Sequence, residues 1–284
     1  MSDAAQAAQA YRTAARLNRE DPILEGSLMR FPDYGQLVMT GDMHGHRRNF
    51  AKLKRYCDLE STPVRHVILH ELIHPEPEHI DEPDLSHELL LEAAQWKCDF
   101  PEQVHFLQSN HELSQLTGHD ISKGGRIVTR DFEDGVEQTY GGGFIEVIKA
   151  MADFIESFPL AGVTTNRVFI SHSLPGPRDY DGFDPAVLER VPEPREMLEG
   201  GSAYALVWGR YQTKAILEEL ATRLDVDCFL CGHQPQEEGY AVVHDRMIIL
   251  ASDHNHGVLL PFDLKKPYTV PDLVAQIRPF AGIE

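Results

Sequence analysis

Four short histidine-bearing segments, each set just after an apolar run, constrain this chain more than any bulk property. They are Gly41-Asp42-Met43-His44-Gly45-His46, Ser109-Asn110-His111-Glu112, Ser171-His172-Ser173 and Gly232-His233-Gln234-Pro235. The preceding runs, Leu37-Val38-Met39, Val104-His105-Phe106-Leu107, Val168-Phe169-Ile170 and Cys228-Phe229-Leu230, have the length of short buried strands. An α/β sheet gathers its functional loops at the carboxyl ends of its strands. Asp, Asn and His are the N/O donors that borderline or hard divalent ions take. Four donor-bearing loops therefore predict a metal centre assembled from distant parts of the sequence.

Across 36–263, strand-like runs alternate with helical patterns, which predicts a layered α/β fold. Residues 64–69 read as a further strand. Helices are predicted over 85–97 (Leu89, Leu90, Ala93, Ala94, Trp96), 144–158 (Ile145, Ile148, Met151, Ile155, Phe158) and 213–224 (Ile216, Leu217, Leu220, Leu224). Residues 117–143 and 175–201 read as irregular, as loops over a site or as solvated padding. Residues 247–263 read as a hairpin or a strand–loop–strand. Three regions result: a helical extension over 1–35, a catalytic domain over 36–263 and a tail over 264–284.

The 284 residues carry 45 acidic against 26 basic side chains, a net charge of −19. Such a surface repels nucleic-acid backbones and anionic lipid, so neither is expected as a partner. No apolar run reaches membrane-spanning length, and residues 1–21 lack the apolar core of a secretion signal. Cys228 and Cys231 form a C-x-x-C, but they sit in an apolar run with no second pair, so buried strand cysteines are the better reading than a zinc or redox pair. Few cysteines in a chain of this kind fit a reducing, cytoplasmic location.

Asp42 and His44 lie two apart on a tight turn, where alternate side chains can face one ion. Asn110 offers a neutral oxygen donor, and its neighbour His111 is then held at the rim, where a general acid would stand. Taken in order, the four motifs resemble the calcineurin-like metallophosphoesterases, in particular the branch of the phosphoprotein Ser/Thr phosphatases. That family carries GD-x-HG, GD-x-x-D-R-G, GNHE, a histidine before a short turn, and a late GH-x-x; this chain reads GDMHG at 41–45, SNHE at 109–112, SHSLPG at 171–176 and GHQP at 232–235. Residues 154–160 and 250–256, the latter ending in His256, resemble lesser family features. The resemblance implies a two-sheet β-sandwich flanked by helices, with two divalent ions (Mn, Fe or Zn) at the sheet edge. It assigns Asp42 and His44 to the first ion, Asn110, His172 and His233 to the second, and a phosphorylated small molecule or phosphoprotein as substrate. The last motif lacks a second histidine, which favours the phosphatase branch over phosphodiesterases.

The second motif departs from the pattern, reading His70-Glu71-Leu72-Ile73-His74-Pro75-Glu76. Glu71 stands where the bridging Asp belongs, His74 where an Asp orients the general acid, and Pro75 where an Arg grips phosphate. His70 is an additional ligand candidate. Arg210, in Val207-Trp208-Gly209-Arg210-Tyr211, and Arg47 and Arg48, just after the first motif, are the candidates for the missing phosphate contact, with His256 on the late loop. The expected reaction is attack of a metal-bridging hydroxide on a phosphomonoester, His111 protonating the leaving oxygen. Hydrolysis of a dinucleoside polyphosphate or small phosphodiester is a rival of the same class. A non-catalytic phosphate-binding relative is a rival of another.

Overall fold

The computed structural model describes residues 3–75, 83–123 and 125–283. In chain order its strands are β1 (Leu24–Glu25), β2 (Leu28–Phe31), β3 (Gln36–Thr40), β4 (Arg65–Leu69), β5 (Val104–Phe106), β6 (Ser122–Lys123), β7 (Arg126–Ile127), β8 (Ala161–Thr164), β9 (Val168–Ser171), β10 (Cys228–Cys231), β11 (Tyr240–Val243), β12 (Met247–Leu250), β13 (Val258–Asp263) and β14 (Arg278–Pro279). The helices are α1 (Ala4–Arg19), α2 (Arg47–Cys57), α3 (His87–Asp99), α4 (Asn110–Thr117), α5 (Val128–Tyr140), α6 (Phe144–Glu156), α7 (Ser202–Trp208), α8 (Lys214–Leu224) and α9 (Val270–Val274).

Two sheets dominate: a seven-stranded one, β1-β2-β8-β9-β10-β12-β11, and a five-stranded one, β14-β13-β3-β4-β5. Successive strand residues point to opposite faces, and here both faces are apolar. In β3, Leu37 and Met39 enter the cluster between the sheets, while Val38 faces the layer of α1, α2, α3, α5 and α6. In β10, Cys228 and Leu230 face inward, while Phe229 and Cys231 pack under α7 and α8. The C-x-x-C thus splits across two faces and cannot chelate one ion. All four cysteines are free thiols.

Strands β3, β4 and β5 run parallel, as do β9, β10 and β12. Their carboxyl ends meet: a lone parallel bridge joins Asp42 to Ala251, just beyond β3 and β12. There the Ser252 N–H donates to the Asp42 carbonyl at 3.0 Å, and the Gly41 N–H donates to Ser252 Oγ at 2.9 Å. A Cβ on Gly41 would lie 2.1 Å from the Leu250 carbonyl oxygen, so only glycine lets the two sheets close at this edge.

The three expected helices form, with Thr213 capping α8 by accepting from the Ile216 N–H. Residues 247–263 form the strand–loop–strand and not the hairpin, because β12 joins the large sheet and β13 the small one. Residues 117–143 are also not irregular. They fold as the β6–β7 hairpin followed by α5, whose Phe132, Val136 and Tyr140 make a stripe at four-residue spacing that Gly135 and the intervening acids obscure. The expected N-terminal helix forms as α1, and it packs into the helical layer through Ala7, Ala8, Tyr11, Ala14 and Ala15. Residues 28–31 add β2 to the large sheet, and β14 from the tail pairs with β13.

Candidate metal centre

Each strand end delivers one group of donors, and the backbone bends hard to do it. His44, Glu71, His74 and His233 all have positive φ, between 39° and 68°. Such values are costly for non-glycine residues and recur at functional sites, because a packed fold has to impose them. Here the loops lock one another: the Met43 and His44 N–H groups both donate to the Glu71 carbonyl at 2.9 and 2.8 Å. Glu112 ties α4 to the second motif by accepting from the Leu72 N–H at 2.7 Å, and burial pushes its carboxyl up to about 7. The His233 N–H donates to Asp42 Oδ1 at 2.9 Å. A Cβ on Gly232 would lie 2.2 Å from that same oxygen, which explains glycine before this histidine.

The side chains then converge. Asn110 Oδ1 lies 2.7 Å from His172 Nε2 and 2.9 Å from His233 Nδ1, and these two ring nitrogens are 3.2 Å apart. Glu71 Oε2 stands 3.6 Å from His172 Nε2 and 3.8 Å from His44 Nε2. Glu71 Oε1 is 3.7 Å from His111 Nε2. Three overlapping trios have donors within 4.8 Å of one another: Asp42-His70-His172, His44-Glu71-His111 and Glu71-His172-His233.

Tautomers sort these trios. His70 Nε2 faces the Thr40 carbonyl at 2.8 Å and must donate there, which leaves Nδ1 as an acceptor. That atom meets His172 Nδ1 at 2.9 Å, so the His172 proton sits on Nδ1 and its Nε2 lone pair is turned to Asn110, His233 and Glu71. A neutral His172 offers one lone pair only, so the trio using its Nδ1 and the trio using its Nε2 exclude each other. The hydrogen bond to His70 selects the second.

Charge follows the same logic. Burial holds His70, His172 and His111 below the ordinary imidazole range, and pushes His74 and His233 to about 3. Burial thus favours the neutral ring, the form in which an imidazole can ligate. Burial and the neighbouring Asp42 drive the Glu71 carboxyl well up. Burial alone would also raise Asp42, but His70 and a hydrogen bond from Glu71 hold it below its usual value. Two buried acids and converging lone pairs are a donor set that fits divalent cations.

The other expected residues fall around this core. His111 stands on α4 with its Nδ1 at 3.0 Å from His74 Nδ1, and His74 Nε2 meets Gln115 Oε1 at 3.0 Å. Arg210 lines an open hollow of about 430 Å³ with Arg178, Tyr204 and Trp208, beside His233. Arg47 is ion-paired with Glu88 on the outer surface. His256 is exposed and lines a separate hollow with Glu238 and Tyr240. Sequence reasoning missed Lys123, whose Nζ lies 3.5 Å from His44 Nε2 and 3.2 Å from the His74 carbonyl.

Residues 36–237 match the calcineurin-like phosphoesterase family. Among known proteins, the chain is 21% identical to serine/threonine-protein phosphatase 5 of Solanum lycopersicum over 89% of its length, and 22% identical to that of Homo sapiens over 74%. It spans less than half the length of either, 45% and 41%. Among solved structures, a protein serine/threonine phosphatase from Saccharomyces cerevisiae with similarity to human phosphatase PP5 superposes with a TM-score of 0.69 at 16% identity, covering 92% of this chain and 83% of that one. A cold-active protein-tyrosine phosphatase from a Shewanella species gives 0.57 at 16% identity, covering 85% and 78%. The family match, the two-sheet fold and the donors gathered at the strand ends agree, and the chain belongs to the calcineurin-like phosphoesterases.

Proposed function

We propose that this chain hydrolyses phosphomonoesters with the help of two divalent ions. The observation that carries the reading is the convergence of Asn110 Oδ1, His172 Nε2 and His233 Nδ1 within 2.7–3.2 Å, facing the buried Glu71 carboxyl group. In this reading Asn110, His172 and His233 would hold one ion and Asp42 and His44 the other, with Glu71 as a donor available to both. His70 orients His172 from behind and is not itself a ligand. When bound, such ions supply the charge that draws in phosphate oxygens and a water acidic enough to attack at neutral pH.

His111 is the residue placed to pass a proton to the leaving oxygen. Because Gln115 Nε2 donates to Glu133, its Oε1 faces His74; His74 then donates from Nε2 and accepts the His111 Nδ1 proton. Among the described residues no carboxylate supports the imidazolium from behind, so His111 is a weaker acid catalyst here than with the family's aspartate. Substrates with good leaving groups should be favoured accordingly. The names of the relatives support a phosphoserine or phosphothreonine protein as substrate; the span of the motifs supports 36–263 as the catalytic unit, and the free cysteines fit the cytoplasm. No helix among the described residues is long and apolar enough to cross a membrane.

The test is direct. The purified chain, loaded in turn with Mn²⁺, Fe²⁺ and Zn²⁺, is assayed for metal content and for turnover of p-nitrophenyl phosphate. Stoichiometric binding with turnover supports the reading; a chain that binds none of the three, or binds them without turnover, sinks it.

A further inference from the structure

The second motif places Pro75 where the family carries its phosphate-gripping arginine, and Pro75 has no charge to offer. A different element brings a cation to the same mouth. Hairpin β6–β7 pairs Lys123 with Arg126 and Ser122 with Ile127. It projects the Lys123 ammonium to 3.5 Å from His44 Nε2 and 3.2 Å from the carbonyl of His74, the residue before Pro75.

This placement is built by packing. The hairpin runs directly into α5, and the Val128 N–H returns to the Ile121 carbonyl at 3.0 Å. Arg126 is ion-paired with Asp131 one turn into α5 at 2.7 Å. Phe132 of α5 is buried edge-on against the His74 ring, 5.3 Å between centroids. A Cβ on Gly135 would lie 2.0 Å from the Asp84 carbonyl oxygen, so α5 sits as close to its neighbour as a helix can. The lysine is thus carried on a framework that touches the second motif at His74.

We propose that Lys123 is the phosphate-anchoring cation of this enzyme, standing in for the arginine displaced at Pro75. A phosphate against the donors would lie between Lys123 on the His44 side and Arg210 on the His233 side. Lysine binds phosphate as a compact point charge, where arginine would use a two-pronged fork. The inference rests on the phosphatase reading, but its test separates the two. The full-length chain loaded with Mn²⁺ is titrated with inorganic phosphate by calorimetry, as wild type, Lys123→Met and Lys123→Arg, with metal counted in each.

Lys123→Met should weaken phosphate binding about 10- to 100-fold, the usual worth of a charged hydrogen bond, with metal content unchanged. The KM for p-nitrophenyl phosphate should rise in proportion, and Lys123→Arg should recover most of the loss. Unchanged phosphate affinity in Lys123→Met overturns the proposal. So does a changed metal count, which would make Lys123 a substitute for an ion. If the wild type binds phosphate but does not turn over ester, the phosphatase reading fails while the anchor stands or falls on the calorimetry.

Discussion

Two clusters of buried histidines share strands β4 and β5, and they differ in what closes them. At one end, His66 Nδ1 meets His105 Nε2 at 3.0 Å, and His105 Nδ1 donates to Asp21 at 3.1 Å. Lys97 completes that cluster, reaching Asp21 at 2.9 Å and the Pro101 carbonyl at 2.7 Å. The two imidazoles are hydrogen-bonded to each other and to the acid, and the acid has a cation. At the carboxyl ends of β4 and β5, Glu71 and Asn110 meet His172 and His233 from the other sheet, and Asn110 Oδ1, His172 Nε2 and His233 Nδ1 crowd together beside two acids. Both places are buried, and both bring imidazole rings together. What separates structure from chemistry is the unmet demand: the first cluster asks for nothing more, and the second asks for positive charge.

The largest effect should come from removing a converging donor. His172→Ala, His233→Ala and Glu71→Gln should each lose bound metal and cut turnover by about 10³-fold, the scale of several kcal/mol of lost charge stabilisation. His70→Gln should be milder, since it frees the His172 ring without deleting a ligand. A roughly 10- to 100-fold loss of metal affinity is expected there. If His70→Gln proves the more damaging and Glu71→Gln is silent, the ligand set must be redrawn around Asp42, His70 and the other nitrogen of His172.

In the closed cluster the readout should be stability. Lys97→Met strands a buried Asp21 and should cost about 3–5 kcal/mol of unfolding free energy, with metal affinity unchanged. Replacing Asp21 and Lys97 together with apolar residues should cost less than Lys97→Met alone. Urea unfolding of the three chains decides this, and a metal defect in any of them would erase the distinction between the clusters.

Acid should also loosen the closed end. Burial pushes His66 down to about 4, so between that value and its ordinary 6.5 the unfolded chain takes a proton that the folded one refuses. Its contribution, up to about 3 kcal/mol, is present above pH 6.5 and lost as pH falls towards 4. Burial alone would raise Asp21, but the hydrogen bond from His105 and the charge of Lys97 hold it well below the usual carboxylate range. Its share is therefore lost lower still. The wild type should lose more stability from pH 7 to pH 5 than His66→Phe; equal losses would refute a neutral His66. The smallest effect is expected from Cys231→Ala, which should cost about 1 kcal/mol and leave metal content untouched, because Cys231 faces α8 and not Cys228.

The sequence made much of this centre legible, since Asp42, His44, Asn110, His172 and His233 each follow an apolar strand run in a telling order. The strand register then brings them together. Other parts could not be read. His70 could be read only as an additional ligand candidate because spacing carries no tautomer, and it takes the Thr40 carbonyl to show which of its nitrogens is committed. Lys123 sat in a stretch read as irregular, and nothing in its neighbours hints that a hairpin aims it at His44. The role of His66 and His105 was equally hidden, since their partner Asp21 lies 84 residues before His105.

The bridge from Asp42 to Ala251 has a consequence for how the molecule comes apart. Asp42, His44, Glu71, Asn110 and His111 hang from the five-stranded sheet, His172 and His233 from the seven-stranded one. Neither sheet carries a full set, so a cation held between them would act as a rivet through both layers. It would bind only the assembled sandwich and stabilise it by mass action, more so as free metal rises. Release of the ion should then track the parting of the two layers, not the melting of either, so that chelation would loosen the seam while each sheet kept its own hydrogen bonds.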